Sequence, residues 1–357
     1  MGRRRRLAGR GTDNNPANRY EQIYVEPDDG EAAEAGAPSS IFYRDTSRSI
    51  LAENDSPDID VCFSLNPYRG CEHGCIYCYA RPSHEYLSFS AGLDFERRIL
   101  VKPDAAELLR RTFMSPRWQP QTVALSGNTD CYQPVEQRLQ LTRRCLEVFS
   151  EFLNPVSVTT KSALVTRDID LLCDLGKQGA AHVVLSITTL DAALARRMEP
   201  RAAQPERRLE AVHSLSAAGI PTGILIAPVI PGLNDEEIPR ILKAAAAAGA
   251  RSASWTLVRL PQPVDQLFAD WLAEHFPQRR ERVLGRIRAC RNGQLNDACF
   301  GRRLRGEGPY AEHISALFEA AARRHGFDRP GFDRPLPPLN ASGFRRPRRA
   351  GEQLAFC

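Results

Sequence analysis

The chain has 357 residues, 42% of them hydrophobic and 25% charged, the composition of an ordinary globular protein long enough for one large domain or two smaller ones. Its net charge of +5, from 48 basic and 43 acidic residues, is too small to imply an anionic partner by itself. No stretch is long and apolar enough to span a bilayer, and the opening MGRRRR has no apolar run behind it and no Ser or Thr at position 6. Neither a secretory signal nor myristoylation is expected, and the reading is a soluble, cytoplasmic protein.

Residues 1–40 are rich in Arg, Asn, Gly, Pro, Glu and Ala. Such a composition, with an arginine run at 3–6, predicts a disordered basic and polar segment. Short β-branched, apolar runs then predict strands at 60–65, 122–125, 156–160, 183–187, 222–227 and 254–258. Between and after them, helical patterns cover 104–113, 136–152, 168–175, 205–218, 235–248 and 267–275. Asn234 before three acidic residues reads as a helix start, and Gly219 and Gly249 as helix ends. Six strand–helix units in sequence predict an α/β fold with a parallel sheet, open or barrel-like. Functional residues are then expected where strands end. No Gly-rich dinucleotide or P-loop motif follows any strand.

Residues 261–325 read as a helical extension over the open side of the barrel. Its Gly- and Arg-rich stretch at 299–312 reads as a solvated loop carrying Arg302, Arg303 and Arg305, with reach to an anionic substrate as the alternative. Residues 326–357 double the motif GFDRP and then turn basic at Arg345, Arg346, Arg348 and Arg349, which predicts a Pro/Arg-rich, solvated tail. The expected organisation is thus 1–40, a core at 41–260, the extension at 261–325 and the tail at 326–357.

Ten cysteines in a chain of this kind do not read as a disulfide framework. Three of them, Cys71, Cys75 and Cys78, stand as C-x3-C-x2-C just after the first predicted strand, within NPYRGCEHGCIYCYARP at 66–82. Thiolates on a short loop can converge on an iron–sulfur cluster, and Gly70 and Gly74 supply backbone freedom for the wrap. Three ligands leave one iron open to a small molecule. Zinc, with His73 or His84 as fourth ligand, is an alternative. A fully ligated cluster using Cys62 or Cys131 is another, and a chance grouping of cysteines a third.

With Tyr77, the loop matches C-x3-C-x-aromatic-C, and here the chain resembles the radical S-adenosylmethionine (SAM) superfamily. Over about residues 60–325 it resembles the branch related to spore photoproduct lyase. That likeness is carried by the cysteine loop, SGNTDCYQPVE at 126–136, TTKSALVTRDIDLL at 159–172, SITTLD at 186–191, MEPRAA at 198–203 and APVIPGLND at 227–235. The resemblance implies a partial (β/α)6 TIM-like barrel and a [4Fe–4S] cluster on Cys71, Cys75 and Cys78. SAM is expected on the open iron, with a one-electron donor such as flavodoxin or ferredoxin. It also implies reductive cleavage of SAM to methionine and a 5′-deoxyadenosyl radical that abstracts hydrogen from a substrate.

By the same resemblance, Tyr77 is expected near the SAM adenine and Ser126, Gly127 and Asn128 near its amino group. Lys161 is expected to pair with its carboxylate and Ser186 to meet its ribose, with the turn 227–232 lining the adenine pocket. Cys131 is a candidate hydrogen donor, as the lyase uses a cysteine outside its cluster, although burial is the default for a free cysteine. The substrate is not legible. Repair of a DNA photoproduct is one alternative; a non-enzymatic iron–sulfur or zinc protein is the alternative of another class. Nucleic acid as a partner rests on the basic tails and the branch, since basic residues interleave with aromatics only around 68–86.

Overall fold

The computed structural model describes residues 9–20, 39–327, 336 and 338–347. Its strands are β1 (Ile41–Arg44), β2 (Leu51–Glu53), β3 (Phe63–Leu65), β4 (Tyr68–Arg69), β5 (Arg98–Val101), β6 (Val123–Leu125), β7 (Val156–Thr160), β8 (Ala181–Ser186), β9 (Thr222–Val229) and β10 (Ser252–Leu257). The six expected strands are β3 and β6 to β10. They lie side by side in chain order, every neighbouring pair parallel, and β2 joins antiparallel at the β3 edge. Because the order is sequential, all six C-terminal strand ends fall on one edge of the sheet. The expected α/β class with a parallel sheet is realised. A second small sheet, β1-β5-β4, was not expected: its strands have four residues or fewer, too short to show a period.

The helices are α1 (Leu93–Arg97), α2 (Ala105–Met114), α3 (Glu136–Leu139), α4 (Leu141–Phe152), α5 (Ile169–Lys177), α6 (Ala192–Met198), α7 (Pro205–Ala217), α8 (Ile238–Ala247), α9 (Val264–His275), α10 (Arg280–Ala289) and α11 (Pro309–Arg324). Among the described residues no helix is long and apolar enough to cross a membrane. Buried and half-buried positions alternate along β7 and β8, so one face of these strands carries the apolar contacts with the helices. Val156 and Val158 of β7 and Val183 and Leu185 of β8 are fully buried beneath Leu146, Phe149 and Phe152 of α4 and Leu172 and Leu175 of α5 in one core. Each such side chain contributes roughly 1.5–3 kcal/mol by leaving water.

One expected helix is broken. The stretch 136–152 divides at Gln140, which takes a left-handed conformation at φ 52°. The break is held by the buried Glu136 carboxylate, which accepts the Thr142 amide at 3.1 Å, the Tyr68 hydroxyl at 2.5 Å and Arg167 at 2.8 Å. No local sequence signal announces a tertiary acceptor of this kind.

Both chain ends hold more structure than a solvated tail. Arg10 is 4% exposed and donates to the Glu96 carbonyl at 2.9 Å. The Gly11 amide donates to the Glu96 carboxylate at 2.9 Å, and Arg19 pairs with Glu85. At the other end Phe344 packs edge-on to Phe113 and against Phe152. Arg346 donates to the carbonyls of Phe113, Ser115 and Trp118 at 3.0–3.1 Å, and Arg345 to that of Glu151. These two arginines take up the free carbonyls where α2 and α4 end. The remaining arginines of both runs lie outside the described residues.

The extension supplies a second core. Val264, Phe268, Trp271 and Leu272 of α9 and Val283, Leu284 and Ile287 of α10 pack with Cys75, Ile76 and Tyr77. The stretch between α10 and α11, expected as solvated loop, instead spans the two outer strands of the sheet. Leu257 of β10 donates its amide to the Leu304 carbonyl at 2.8 Å. From the same segment, the Gly301 amide reaches Asp58, before β3, at 2.6 Å, and Arg303 forms an ion pair with it. These bonds join the open sides of the curved sheet.

Candidate active site

The cysteine loop leaves β3 through Asn66 and Pro67 and turns at Gly70 (φ 80°) and Gly74 (φ 68°). Both turns need glycine twice over. A Cβ on Gly70 would lie 2.9 Å from the His84 ring and 3.0 Å from the Phe95 carbonyl, and one on Gly74 would lie 2.7 Å from the Glu96 carboxylate. The Cys71 amide donates to the Phe95 carbonyl at 2.9 Å, and the Cys78 amide to the Cys75 carbonyl at 3.2 Å. Arg81, fully buried, donates twice to the Cys75 carbonyl, at 2.9 and 3.1 Å, and pairs with Glu96. Gln133 holds the other side, accepting from the Glu72 amide and donating to the Gly70 carbonyl.

Cys71 and Cys75 are buried and Cys78 is partly so. Burial, then Asp130 and the neighbouring thiols, raises Cys71, and burial with Glu199 pushes the Cys75 thiol up to about 12. A cationic iron core would offset that cost, as metals do for thiolates. Among the described residues no three Cys, His, Asp or Glu side chains converge as ligands of one ion; in a cubane each sulfur serves a different iron. Each of the two histidines near the loop has one ring nitrogen beside another group, and the buried Nδ1 of His84 has no partner among the described residues. His73 is kept neutral by burial, its Nδ1 3.4 Å from Asp130, and His84, pushed down to about 4 by burial, sets Nε2 2.8 Å from the Arg98 carbonyl. Cys62 is exposed and Cys131 lies in the main core. Three thiols on a tightly held loop, two of them buried, fit a cluster with one iron left free.

Around the loop, the strand ends bring some expected residues together. Lys161 follows β7, its Nζ 5.9 Å from the centre of the Tyr77 ring, and its charge acts on Cys75 and Glu199. The Tyr77 hydroxyl donates to Glu199 and lies 3.4 Å from that of Thr188, so only its ring is free to meet a ligand. Ser126 holds a positive φ of 104°, strained for a residue with a Cβ. Its neighbour Gly127 accepts the Tyr79 hydroxyl. The Asn66 side chain accepts the amides of Asn128 and Thr129 at 3.2 and 3.3 Å.

Two expected residues take other partners. The Ser186 hydroxyl donates to the Ala227 carbonyl at 3.0 Å, tying β8 to β9. Cys131 is fully buried with its Sγ 4.0 Å from the Leu125 carbonyl, and its amide donates to the Ser126 hydroxyl. That is the placement of a small apolar core residue. The turn 227–232 is pinned by Asn234, which accepts the Ile230 amide and donates to the Thr188 and Pro228 carbonyls.

Sequence reasoning missed the charges beneath the site. Glu199 and Arg208, both buried, form an ion pair under Tyr77, and Arg208 also donates to the Ser186 carbonyl at 2.9 Å. Burial opposes the Glu199 charge, but Arg208, Lys161 and the Thr188 and Tyr77 hydroxyls outweigh it and hold the carboxyl down to about 2. Asp130 is a second node, accepting the Thr160 hydroxyl at 2.6 Å and the Lys161 amide at 2.8 Å beside His73. A cavity of about 610 Å³ opens beyond His73, lined by Tyr132, Ser162 and Arg201 but by none of the three cysteines. The only clue was that Glu199 and Asp130 fall in the segments MEPRAA and SGNTDCYQPVE.

Comparison with known proteins agrees. The family model described as the radical SAM superfamily matches residues 65–245. An uncharacterized protein of Mycobacterium tuberculosis is 36% identical over 218 residues, 60% of this chain and 64% of that protein. The chain therefore spans just under two thirds of that relative's length. A protein of Pseudomonas phage M6 named a radical SAM Nalpha-GlyT isomerase is 23% identical over 214 residues, 59% of this chain and 42% of its own. Among solved structures, spore photoproduct lyase complexed with dinucleoside spore photoproduct superposes with a TM-score of 0.51 at 15% identity, over 80% of this chain and 78% of the lyase. At that identity the likeness is one of fold. With the family match covering half of the chain, the cysteine loop within it and the sequential parallel sheet around it, the protein belongs to the radical SAM superfamily.

Proposed function

We propose that this protein is a radical SAM enzyme whose [4Fe–4S] cluster is held by Cys71, Cys75 and Cys78, with SAM on the remaining iron. The observation that carries the reading is the three-thiol loop at the sheet edge, held in shape by the Arg81 and Gln133 side chains on its own carbonyls. When bound, the cluster and SAM supply one-electron cleavage of the sulfonium S–C5′ bond and hence a carbon radical that takes hydrogen from a substrate.

The chain's own residues do the holding and placing. Lys161 offers its ammonium to the SAM carboxylate. The strand-end segment Ser126, Gly127 and Asn128 faces the amino group, and the Tyr77 ring meets the adenine beside the turn 227–232. The Glu199–Arg208 pair fixes Tyr77 by its hydroxyl and so fixes the ring's orientation. The hydroxyl of Ser186 already has a backbone partner and is not assigned to the ribose. Burial of Cys71 and Cys75 keeps water from the sulfurs. The electron is expected from a small one-electron carrier such as flavodoxin or ferredoxin.

The test is anaerobic reconstitution with iron and sulfide, then dithionite and SAM. 5′-Deoxyadenosine should form, and the electron paramagnetic resonance signal of the reduced cluster should shift when SAM is added. Cys75→Ala should lose the cluster's visible absorbance. A cluster that assembles but neither shifts with SAM nor cleaves it would overturn the reading.

A further inference from the structure

The end of β10 takes no part in the proposed cofactor contacts, and it is built of arginine. Arg259 follows β10, partly buried, with its guanidinium carbon 4.6 Å from the centre of the Tyr79 ring. Tyr79 is the residue after Cys78, and its hydroxyl donates to Gly127 beyond β6. Arg259 therefore stands across the barrel mouth from the β6 end, directly beside the cysteine loop. Among the described residues it makes no hydrogen bond and no ion pair.

Two more guanidiniums frame it. Arg291 is 2% exposed and donates to the carbonyls immediately before Arg259, Val258 at 2.8 Å and Leu257 at 3.2 Å, and to that of Arg303 at 3.0 Å. Its Nη1, also buried, has no partner among the described residues. Arg303 lies over Phe300 at 4.6 Å and pairs with Asp58. Among the described residues Asp58 is the one carboxylate whose charge acts on Arg259, and it is already engaged by Arg303 and by the Gly301 amide. Burial and the charge of Arg303 lower the pKa of Arg259; burial and the charge of Arg259 lower that of Arg291 to about 10. Leaving a buried donor unbonded and like charges together costs stability. An oxyanion between them removes both costs.

We propose that Arg259, framed by Arg291 and Arg303 and backed by the Tyr79 ring, is an anion subsite at the barrel mouth that takes a phosphate group of the substrate. The radical-generating site on which it rests is the one proposed above. The three guanidiniums face two carboxylates, Asp58 already engaged by Arg303 and Asp297 by Arg302, which suits a doubly charged tetrahedral oxyanion better than a single carboxylate, and the planar fork matches its paired oxygens. The exposed rings of Tyr79 (46%) and Phe300 (52%), each beneath an arginine, provide flat faces beside it for the rest of such a molecule.

Equilibrium binding of inorganic pyrophosphate to the reconstituted full chain tests this, with acetate as the carboxylate probe and SAM in a separate titration. Wild type should bind pyrophosphate saturably and in preference to acetate. Arg259→Gln should weaken that binding by about tenfold or more, and Arg259→Lys by less, because it keeps the charge and loses the fork. Cluster absorbance and melting temperature show whether each variant is folded. The subsite is overturned if wild type shows no saturable pyrophosphate binding, if Arg259→Gln binds it as wild type does, or if the variant loses SAM binding instead. Because binding needs no turnover, a protein that holds pyrophosphate through Arg259 but never cleaves SAM would sink the functional reading and leave the subsite standing.

Discussion

A buried charge is costly without a counterion, and the pair under Tyr77 shows how that cost is met. Glu199 and Arg208 are each about 1% exposed, and either charge alone would be costly to bury there. Together they satisfy one another, and the remaining acceptor capacity of Glu199 is taken by Thr188 at 2.6 Å and by Tyr77. Glu199→Gln leaves the Arg208 charge buried without its counterion, which costs about 3–5 kcal/mol. A urea unfolding curve at neutral pH should show that loss, and an unchanged midpoint would mean that the pair is dispensable. The pH dependence has a definite sign. The folded carboxyl sits at about 2, below the unfolded value near 4.3. Its contribution is therefore complete above about pH 4 and is lost as the pH falls towards 2. Wild type and variant should differ most near neutrality and converge in acid.

Elements were legible in proportion to their length and periodicity. Strands such as β7, with Val156, Val158 and Thr160 inward, and helices such as α2 and α7 were found within a residue or two of their ends. So was the cysteine loop, because ligand spacing is local. What escaped was held by contacts that no local pattern signals: the break at Gln140, the Glu199–Arg208 pair, and the segment 9–20. That segment has no apolar stripe and reads as coil; it is ordered by close backbone contact instead. Its Asn14 carbonyl accepts the Leu93 amide, and Gly11 lies against Gly74 inside the cysteine loop. A Cβ on Gly11 would fall 1.9 Å from the Gly74 carbonyl and 3.0 Å from the Glu96 carboxylate, with backbone on one side and a buried ion pair on the other. Gly11→Ala should therefore lift this segment off the loop, at roughly 1–3 kcal/mol. The readout is cluster retention: the variant should lose iron faster than wild type during anaerobic gel filtration and be cleaved sooner by protease within 9–20. Equal retention would show that the segment merely rests there.

At the scale of the whole molecule, a sheet of six parallel strands is too narrow to close into a barrel by its own hydrogen bonds, and among the described residues β10 has no strand beyond it. The segment between α10 and α11 bridges the opening with side chains and single backbone bonds. Asp58 is the anchor on one side: burial opposes its charge, but the Gly301 amide and Arg303 more than compensate and lower its pKa. Arg303 also donates to Ser56. On the other side Leu304 bonds to β10, and Arg291 ties the carbonyls of Leu257, Val258 and Arg303 together. The junction thus depends on one carboxylate facing several donors. Asp58→Ala strips the partner from Arg303 and from the Gly301 amide at once and should cost about 1–3 kcal/mol. The loss should be local, since the main core of β6 to β9 and their helices shares none of these bonds. Hydrogen exchange read by mass spectrometry should then quicken in peptides covering 56–60, 257–260 and 299–305 while peptides from β7 and β8 keep wild-type protection. Faster exchange throughout would mean that the bridge supports the whole fold, and no change anywhere would mean that the barrel stays closed without it.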